Sequence, residues 1–280
     1  MQVDGHTVHY VDEGSGPTLL LLHGNPTWSF LWRQVIPGLS GHFRCVALDY
    51  PGFGLSTPAH DYRYMPEEHA DVVGGFVDAL GLKDITLVGQ DWGGMIGLAA
   101  AEQRPETFNR LVLANTWAWP VNGTFHFEWF GRVIGGMPFR FLVRRLNVLV
   151  DWFMPVGHKQ RQLSKDEMDH YRRALGTAAR RQASAVLPGQ ILASKKFFAD
   201  VETGLPAISE LPTLIIWGEK DIAFRPKERD RLYETFPNND LVTLASAGLY
   251  TESDSPEEFV DALIGWEPLK QAAAPTRRRS

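Results

Sequence analysis

Gly89-Gln90-Asp91-Trp92-Gly93 decides how this chain is read. The pentapeptide has the form Gly-x-nucleophile-x-Gly. It lies between Ile85 to Gly89, which reads as a buried strand, and the small-residue stretch Gly93 to Glu102, which reads as a helix. Flanking glycines let the chain turn sharply without a Cβ clash, so the central side chain stands at the sheet edge and at the positive end of the helix. That central residue is an aspartate. A carboxylate attacks without first losing a proton, which suits displacement at an sp³ carbon or epoxide opening, through a covalent alkyl ester. Capping a helix is the other common use of an aspartate here, but it does not account for two elbow glycines together with the His23-Gly24 loop upstream.

Outward from the elbow, strands alternate with helices. Strands are expected at Thr7 to Val11, Thr18 to Leu22, Phe43 to Leu48 and Leu111 to Ala114, with a helical stretch around Phe30 to Leu39. A further helix over Pro66 to Leu80 follows from apolar Val72, Val73, Phe76, Val77 and Leu80, with Pro66 in its first turn. The loop Asp49 to Thr57, broken by Pro51, Gly52 and Gly54, follows a strand and so belongs on the ligand edge of a parallel sheet. From Trp117 to about Pro206 the strand rhythm stops and aromatic and basic residues fall at helical spacing, in Phe125 to Val133, Phe139 to Val150 and Asp166 to Arg181. Strand patterning resumes at Thr213 to Trp217 and Leu241 to Ala245, before a closing helix at Pro256 to Ile264. The expected class is α/β, a mostly parallel sheet flanked by helices. Its main domain would comprise 1–116 and 207–268, with a helical cap, 117–206, inserted after the sixth strand, and a disordered tail, 269–280.

Composition narrows the function. A chain of 280 residues, 44% hydrophobic, buries a large core. Its formal charge of −5 gives no broad basic surface for nucleic acid, and the one basic cluster, Arg277 to Arg279, falls in the tail. Cys45 is the only cysteine, which rules out an intrachain disulfide and fits a reducing, cytoplasmic compartment. Met1-Gln2-Val3-Asp4 does not open a secretory signal, and the longest aliphatic run, Leu19 to Leu22, is strand-sized, so no membrane partner is expected. No cysteine-histidine cluster or phosphate-binding glycine fingerprint occurs, so neither metal nor organic cofactor is expected.

His23-Gly24-Asn25-Pro26 follows the strand Thr18 to Leu22, where an elbow enzyme usually supplies one backbone N–H for its anion hole. The other comes from the residue after the nucleophile, here Trp92. The Trp92 indole N–H and the Asn25 amide are neutral donors, able to hold a departing anion and then release it. His23 reads as a loop-positioning residue.

With these residues in place, a family resemblance becomes specific. His23-Gly24-Asn25-Pro26-Thr27-Trp28, Asp49-Tyr50-Pro51-Gly52-Phe53-Gly54-Leu55-Ser56 and Gly89-Gln90-Asp91-Trp92-Gly93-Gly94 resemble the motifs of haloalkane dehalogenases, enzymes of the α/β-hydrolase fold. The likeness runs from about Val8 to Ile264, cap included. It implies that Asp91 displaces halide while Asn25 and Trp92 bind it. Small apolar halogenated compounds and water would be the substrates, and a halide ion a product. Related epoxide hydrolases usually carry an aromatic residue in place of Asn25 and use cap tyrosines as electrophile, for which Tyr171 is the candidate beside an ordinary packing role. The cap aromatics Phe125, Phe127, Trp129 and Phe130 read either as cap core or as pocket lining.

Ile215-Ile216-Trp217-Gly218-Glu219-Lys220-Asp221 ends a strand with an acid at the ligand edge, and Asp221 matches the triad acid of one dehalogenase branch. Another branch takes its acid after the preceding strand, but Asn115-Thr116-Trp117-Ala118-Trp119 has no carboxylate. Counting back from Asp254-Ser255-Pro256, the family's catalytic histidine position holds Leu249. The family pattern of histidine, aromatic, variable, Gln, Glu, Asp reads here Leu249-Tyr250-Thr251-Glu252-Ser253-Asp254. Ester hydrolysis needs a base worth about 10² to 10⁴-fold in rate, and leucine supplies none. His126, His158 and His170 in the cap, and Glu252 nearby, are the remaining candidates for that task. A non-turnover or single-turnover binder and an epoxide hydrolase are the alternatives to a dehalogenase.

Overall fold

The computed structural model describes residues 1–273; Arg277 to Arg279 lie outside the described residues. Seven strands form one sheet: β3 (Tyr10–Glu13), β4 (Thr18–Leu22), β5 (Arg44–Leu48), β6 (Ile85–Gln90), β7 (Phe108–Ala114), β8 (Thr213–Gly218) and β9 (Asn239–Leu244). Their order is β3-β5-β4-β6-β7-β8-β9, and every pairing is parallel except β3 with β5. The central strands β4, β6 and β8 are buried at every residue, which is why they read as unbroken apolar runs rather than alternating ones. Helix Trp92–Glu102 packs on β6 and helix Pro66–Leu80 packs against that helix, and Gly81, at φ 61°, ends the latter in a left-handed turn.

The expected strand Thr7 to Val11 divides. Thr7 pairs back with Gln2 in a small hairpin, β1 (Gln2–Val3) with β2 (His6–Thr7), whereas Tyr10 pairs with Leu48 in the main sheet. Because β1 and β2 pair apart, the cap follows the fifth strand of the seven-stranded sheet, not the sixth. The expected helix Phe30 to Leu39 also divides, into a single turn Ser29–Trp32 and a short helix Val35–Leu39. Pro37 explains the break, since its ring would clash with the carbonyl of Arg33 in a continuous helix.

Between β7 and β8 the chain is helical: Phe125–Val133, Met137–Leu146, Lys165–Ala174, Gln182–Ala193 and Lys195–Gly204 are its longer elements. Left-handed Asn147, at φ 52°, stops the second of these short of Val150. A Ser164–Glu167 capping box starts the third, which ends at Ala174 rather than running to Arg181. The stretch expected to be a disordered tail is helical over Glu267–Ala273, where Leu269 is fully buried and Arg110 Nε donates to Pro268 O at 3.1 Å. A buried leucine and a side-chain bond to the backbone anchor it. Among the described residues no helix is long and apolar enough to cross a membrane.

Candidate active site

Asp91 closes β6 with φ 53° and ψ −126°, a conformation that L-residues seldom adopt, and its carbonyl accepts from Thr116 Oγ1 at 2.6 Å. The elbow glycines are sterically required. A Cβ on Gly89 would sit 2.6 Å from Gly94 Cα, and one on Gly93 would sit 2.0 Å from Leu22 O. Upstream, a Cβ on Gly24 would sit 2.4 Å from Asp91 Oδ2, so the His23 to Asn25 loop can approach the carboxylate only as glycine. That approach delivers the Asn25 N–H to Asp91 Oδ2 at 2.9 Å, and the Trp92 N–H donates to the same carboxyl group. Two backbone donors thus fix the side chain at the mouth of the helix. Burial nevertheless weakens it as an acid, pushing its pKa up to about 7; the two N–H donors oppose the shift and the charge of Asp221 adds to it.

Asp91 opens on a cavity of about 430 Å³, between the strand ends and the cap, whose lining includes Asn25, Trp92, Trp117, Leu249 and Tyr250. Trp92 meets Trp117 edge to face at 5.0 Å. Asn25 Nδ2 donates one hydrogen to Ser184 O of the cap at 3.3 Å, which leaves its second hydrogen unspoken for. The cap wall carries Phe125, Phe127, Trp129 and Phe130, so all four aromatic candidates line the cavity. The walls are almost entirely apolar, with carboxylate, amide and indole gathered at one end.

Leu249 lines this cavity with Asp91, its N–H donating to Gly157 O at 2.9 Å and its carbonyl accepting from Gln90 Nε2 at 3.1 Å. The turn that carries it is pinned by Asp254, whose carboxylate accepts from the N–H groups of Gly248, Lys159, Gln160 and Arg161 at 2.7 to 3.0 Å. Asp221 stands behind the lining. Its carboxyl accepts from Asn115 Nδ2 at 2.7 Å and Ala223 N at 2.6 Å, and burial pushes it up to about 7. Asn115 also takes the Gly218 N–H at 2.8 Å, which ties the end of β8 to the loop after β7. Sequence reading noticed Asn115 only as the absence of a carboxylate.

The other candidates lie elsewhere. His158 is buried and stacked on Tyr250, with Nδ1 on Met154 O and Nε2 on Ser253 Oγ, and it is not part of the lining. His170 stacks on Phe30 at 4.7 Å. Glu252 is fully buried beside Thr251 Oγ1, pushed up to about 8 by burial, and does not reach the cavity wall. The Tyr171 hydroxyl accepts from Arg33 and also lies off the wall. Only His126 among the described histidines lines the cavity. Its Nε2 is 4.0 Å from Glu228 Oε2, and burial with nearby Arg225 and Lys227 lowers it to about 4. His23 holds its loop, with Nδ1 on Gly24 O and Nε2 taking the Tyr50 N–H. Asp49, quoted in the sequence only as part of a motif, is fully buried and accepts from Ser29 N and Leu55 N, so it joins the two loops at the sheet edge.

The α/β hydrolase fold family matches residues 17–249. Haloalkane dehalogenase 2 of Mycobacterium tuberculosis is 45% identical over 259 residues, covering 92% of this chain and 90% of the relative. The chain belongs to the haloalkane dehalogenase family. Its fold agrees: the crystal structure of a haloalkane dehalogenase from Bradyrhizobium elkani superposes with a TM-score of 0.86 at 25% identity, over 98% of both chains. A cis-3-alkyl-4-alkyloxetan-2-one decarboxylase of Shewanella oneidensis is 31% identical over 272 residues, 92% of this chain and 84% of the relative. The chain is therefore a dehalogenase-type hydrolase, with an ionisable nucleophile candidate and an unionisable leucine on the same wall.

Proposed function

We propose that Asp91 alkylates itself on haloalkanes and that the resulting ester persists because Leu249 occupies the place of the base. In the first step a carboxylate oxygen of Asp91 forms a bond to the halogen-bearing carbon. The carbon–halogen bond breaks, and the halide leaves with its electron pair toward Asn25 Nδ2 and the Trp92 indole. Those groups stand at one end of an apolar cavity. In the second step a water must lose a proton as it attacks the ester, and neither Leu249 nor Tyr250 can take it. The observation that carries the reading is that Asp91 and Leu249 line the same cavity. We assign the protein to the cytoplasm on the buried free thiol of Cys45. Intact-mass measurement after incubation with 1-bromobutane tests the chemistry. A lasting gain of one butyl group, one bromide per chain and no gain in Asp91→Ala are expected; continued bromide release without an adduct would overturn stalled hydrolysis.

A second reading is favoured by the leucine together with the decarboxylase relative. On a cis-3,4-dialkyl-oxetan-2-one, Asp91 attacks the ring carbon bearing oxygen and inverts it, and the displaced carboxylate stays attached to the neighbouring carbon. Loss of CO₂ then sends that electron pair into a C=C bond and expels Asp91 as carboxylate. No water is consumed and no base is needed. Inversion followed by anti elimination gives the cis-alkene. Repeated release of cis-alkene from a protein that stalls on 1-bromobutane would establish this reading, and no alkene would sink it.

A further inference from the structure

We propose that the outer face of the cap lies on an anionic phospholipid surface, from which apolar substrate passes directly into the cavity. Single exposed apolar side chains are ordinary, but several large ones on two consecutive cap helices are not. Helices Phe125–Val133 and Met137–Leu146 both pack inward on Gln182–Ala193, with Ile134 and Val143 in one cluster with Ala185. Their outer sides expose Phe125 (83%), Trp129 (53%), Met137 (78%), Phe141 (58%) and Leu146 (64%). Phe125 and Trp129 also line the cavity, so the face runs into its mouth.

Charge identifies the occupant. Met137–Leu146 carries Arg140, Arg144 and Arg145 and no acidic residue. These three arginines make no ion pair among the described residues; Arg145 instead lies over the Phe141 ring at 5.2 Å. The two nearby acids are already engaged, Glu128 with Arg132 and Asp151 with Arg172. A chain of net charge −5 thus carries three arginines without an ion pair, among the described residues, on a helix with exposed Met137, Phe141 and Leu146. Aromatic and aliphatic side chains beside unpaired arginines form an interfacial helix, which lies in the headgroup region without spanning. A second copy fits poorly, because a two-fold contact through the same face would oppose arginine to arginine. No helix among the described residues is long and apolar enough to cross a membrane, and this face would meet one without crossing it. Binding to the lipid surface is independent of the reaction chemistry, whereas passage of substrate into the cavity rests on the haloalkane reading.

Co-sedimentation of the full chain with vesicles tests it, comparing phosphatidylcholine alone with phosphatidylcholine containing phosphatidylglycerol. Binding to the anionic vesicles only, weakened by salt, is expected, with Arg144→Ala/Arg145→Ala lowering affinity by roughly tenfold or more. Phe141→Glu/Leu146→Glu should abolish it. None of these four residues lines the cavity, and an unchanged near-ultraviolet circular dichroism spectrum verifies that each variant is folded. Binding to neither vesicle, or to both equally without salt dependence, would overturn the proposal. So would a solution dimer that Phe141→Glu/Leu146→Glu dissociates, since the face would then be covered by a second copy.

Discussion

Asp91, just after β6, and Leu249, beyond β9 with β7 and β8 between those strands, line one cavity, yet their surroundings are equipped unequally. Around Asp91 stand the groups that the proposed displacement uses: a strained elbow, two backbone donors on the carboxyl group, and Asn25 and Trp92 in the same lining. Around Leu249 the turn is firmly held, but its side chain has no ionisable group. Asp254 still clamps the turn with four backbone hydrogen bonds, and Asn115 still holds Asp221. The difference teaches that hydrogen-bonded clamps around a turn stabilise the fold whatever side chain the turn carries, so on the proposed reading the scaffold keeps its geometry without a base at 249. The largest effect should come from reversing the inequality. Leu249→His, with Asp221 behind it, is expected to speed ester hydrolysis by about 10² to 10⁴-fold. The alkyl adduct would disappear from the mass spectrum and bromide would be released past one equivalent. An adduct that lasts as long as in the parent would mean that the turn no longer aims its side chain at Asp91.

Damage on the Asp91 side should be of similar size and opposite character. Asn25→Ala removes one neutral donor from the developing halide, and loss of a single such donor typically lowers the rate by about 10² to 10³-fold. The fall should appear in the first bromide equivalent, measured by stopped-flow or quench, with the adduct still the final product. Equal alkylation rates in parent and variant would remove Asn25 from the anion site.

Acidity offers a subtler contrast. The nucleophile must be ionised, and burial holds Asp91 near 7 rather than at its ordinary 3.8. Alkylation should therefore rise roughly tenfold per pH unit up to about 7 and then level, whereas an unperturbed carboxylate would be level from about pH 5. Stability should run the other way. An acid whose folded pKa is raised binds its proton more tightly when folded, so stability declines as pH rises from about 4 to about 7. Asp221, also near 7, and Glu252, near 8, act in the same direction. Asp91→Asn should flatten part of that decline in thermal melts; an unaltered slope would show that burial does not govern this carboxyl.

What the sequence disclosed and what it hid follow one physical division. The elbow is legible because its requirement is local: glycines two residues either side of a turn that no Cβ tolerates. Leu249 was picked out by counting back from Asp254 along the family pattern, and it does line the cavity with Asp91. Helix ends were harder, since Pro37 and Asn147 act through a single backbone conformation inside otherwise periodic stretches. The cap was legible as helix but not as surface. Phe125 and Phe127 look alike in the sequence, yet one is 83% exposed and the other 5%, because helical rotation against Gln182–Ala193 decides between them. Asn115 and Asp254 were invisible as supports, since their partners lie 106 and about 94 residues away.

Asn115 gives the smallest expected effect and separates the two sides most cleanly. Its amide donates to Asp221 and accepts from Gly218, but no atom of it lines the cavity. In the parent protein, where Asp221 has no imidazole to orient, Asn115→Ala should leave alkylation within about threefold while costing about 1 to 3 kcal/mol of stability for an unsatisfied buried carboxyl. In the Leu249→His background the same substitution should slow hydrolysis of the adduct, because a loosened Asp221 orients the new imidazole less well. A positioning residue for the second step predicts that split. A purely structural one would lower stability equally in both backgrounds and leave the adduct's lifetime unchanged.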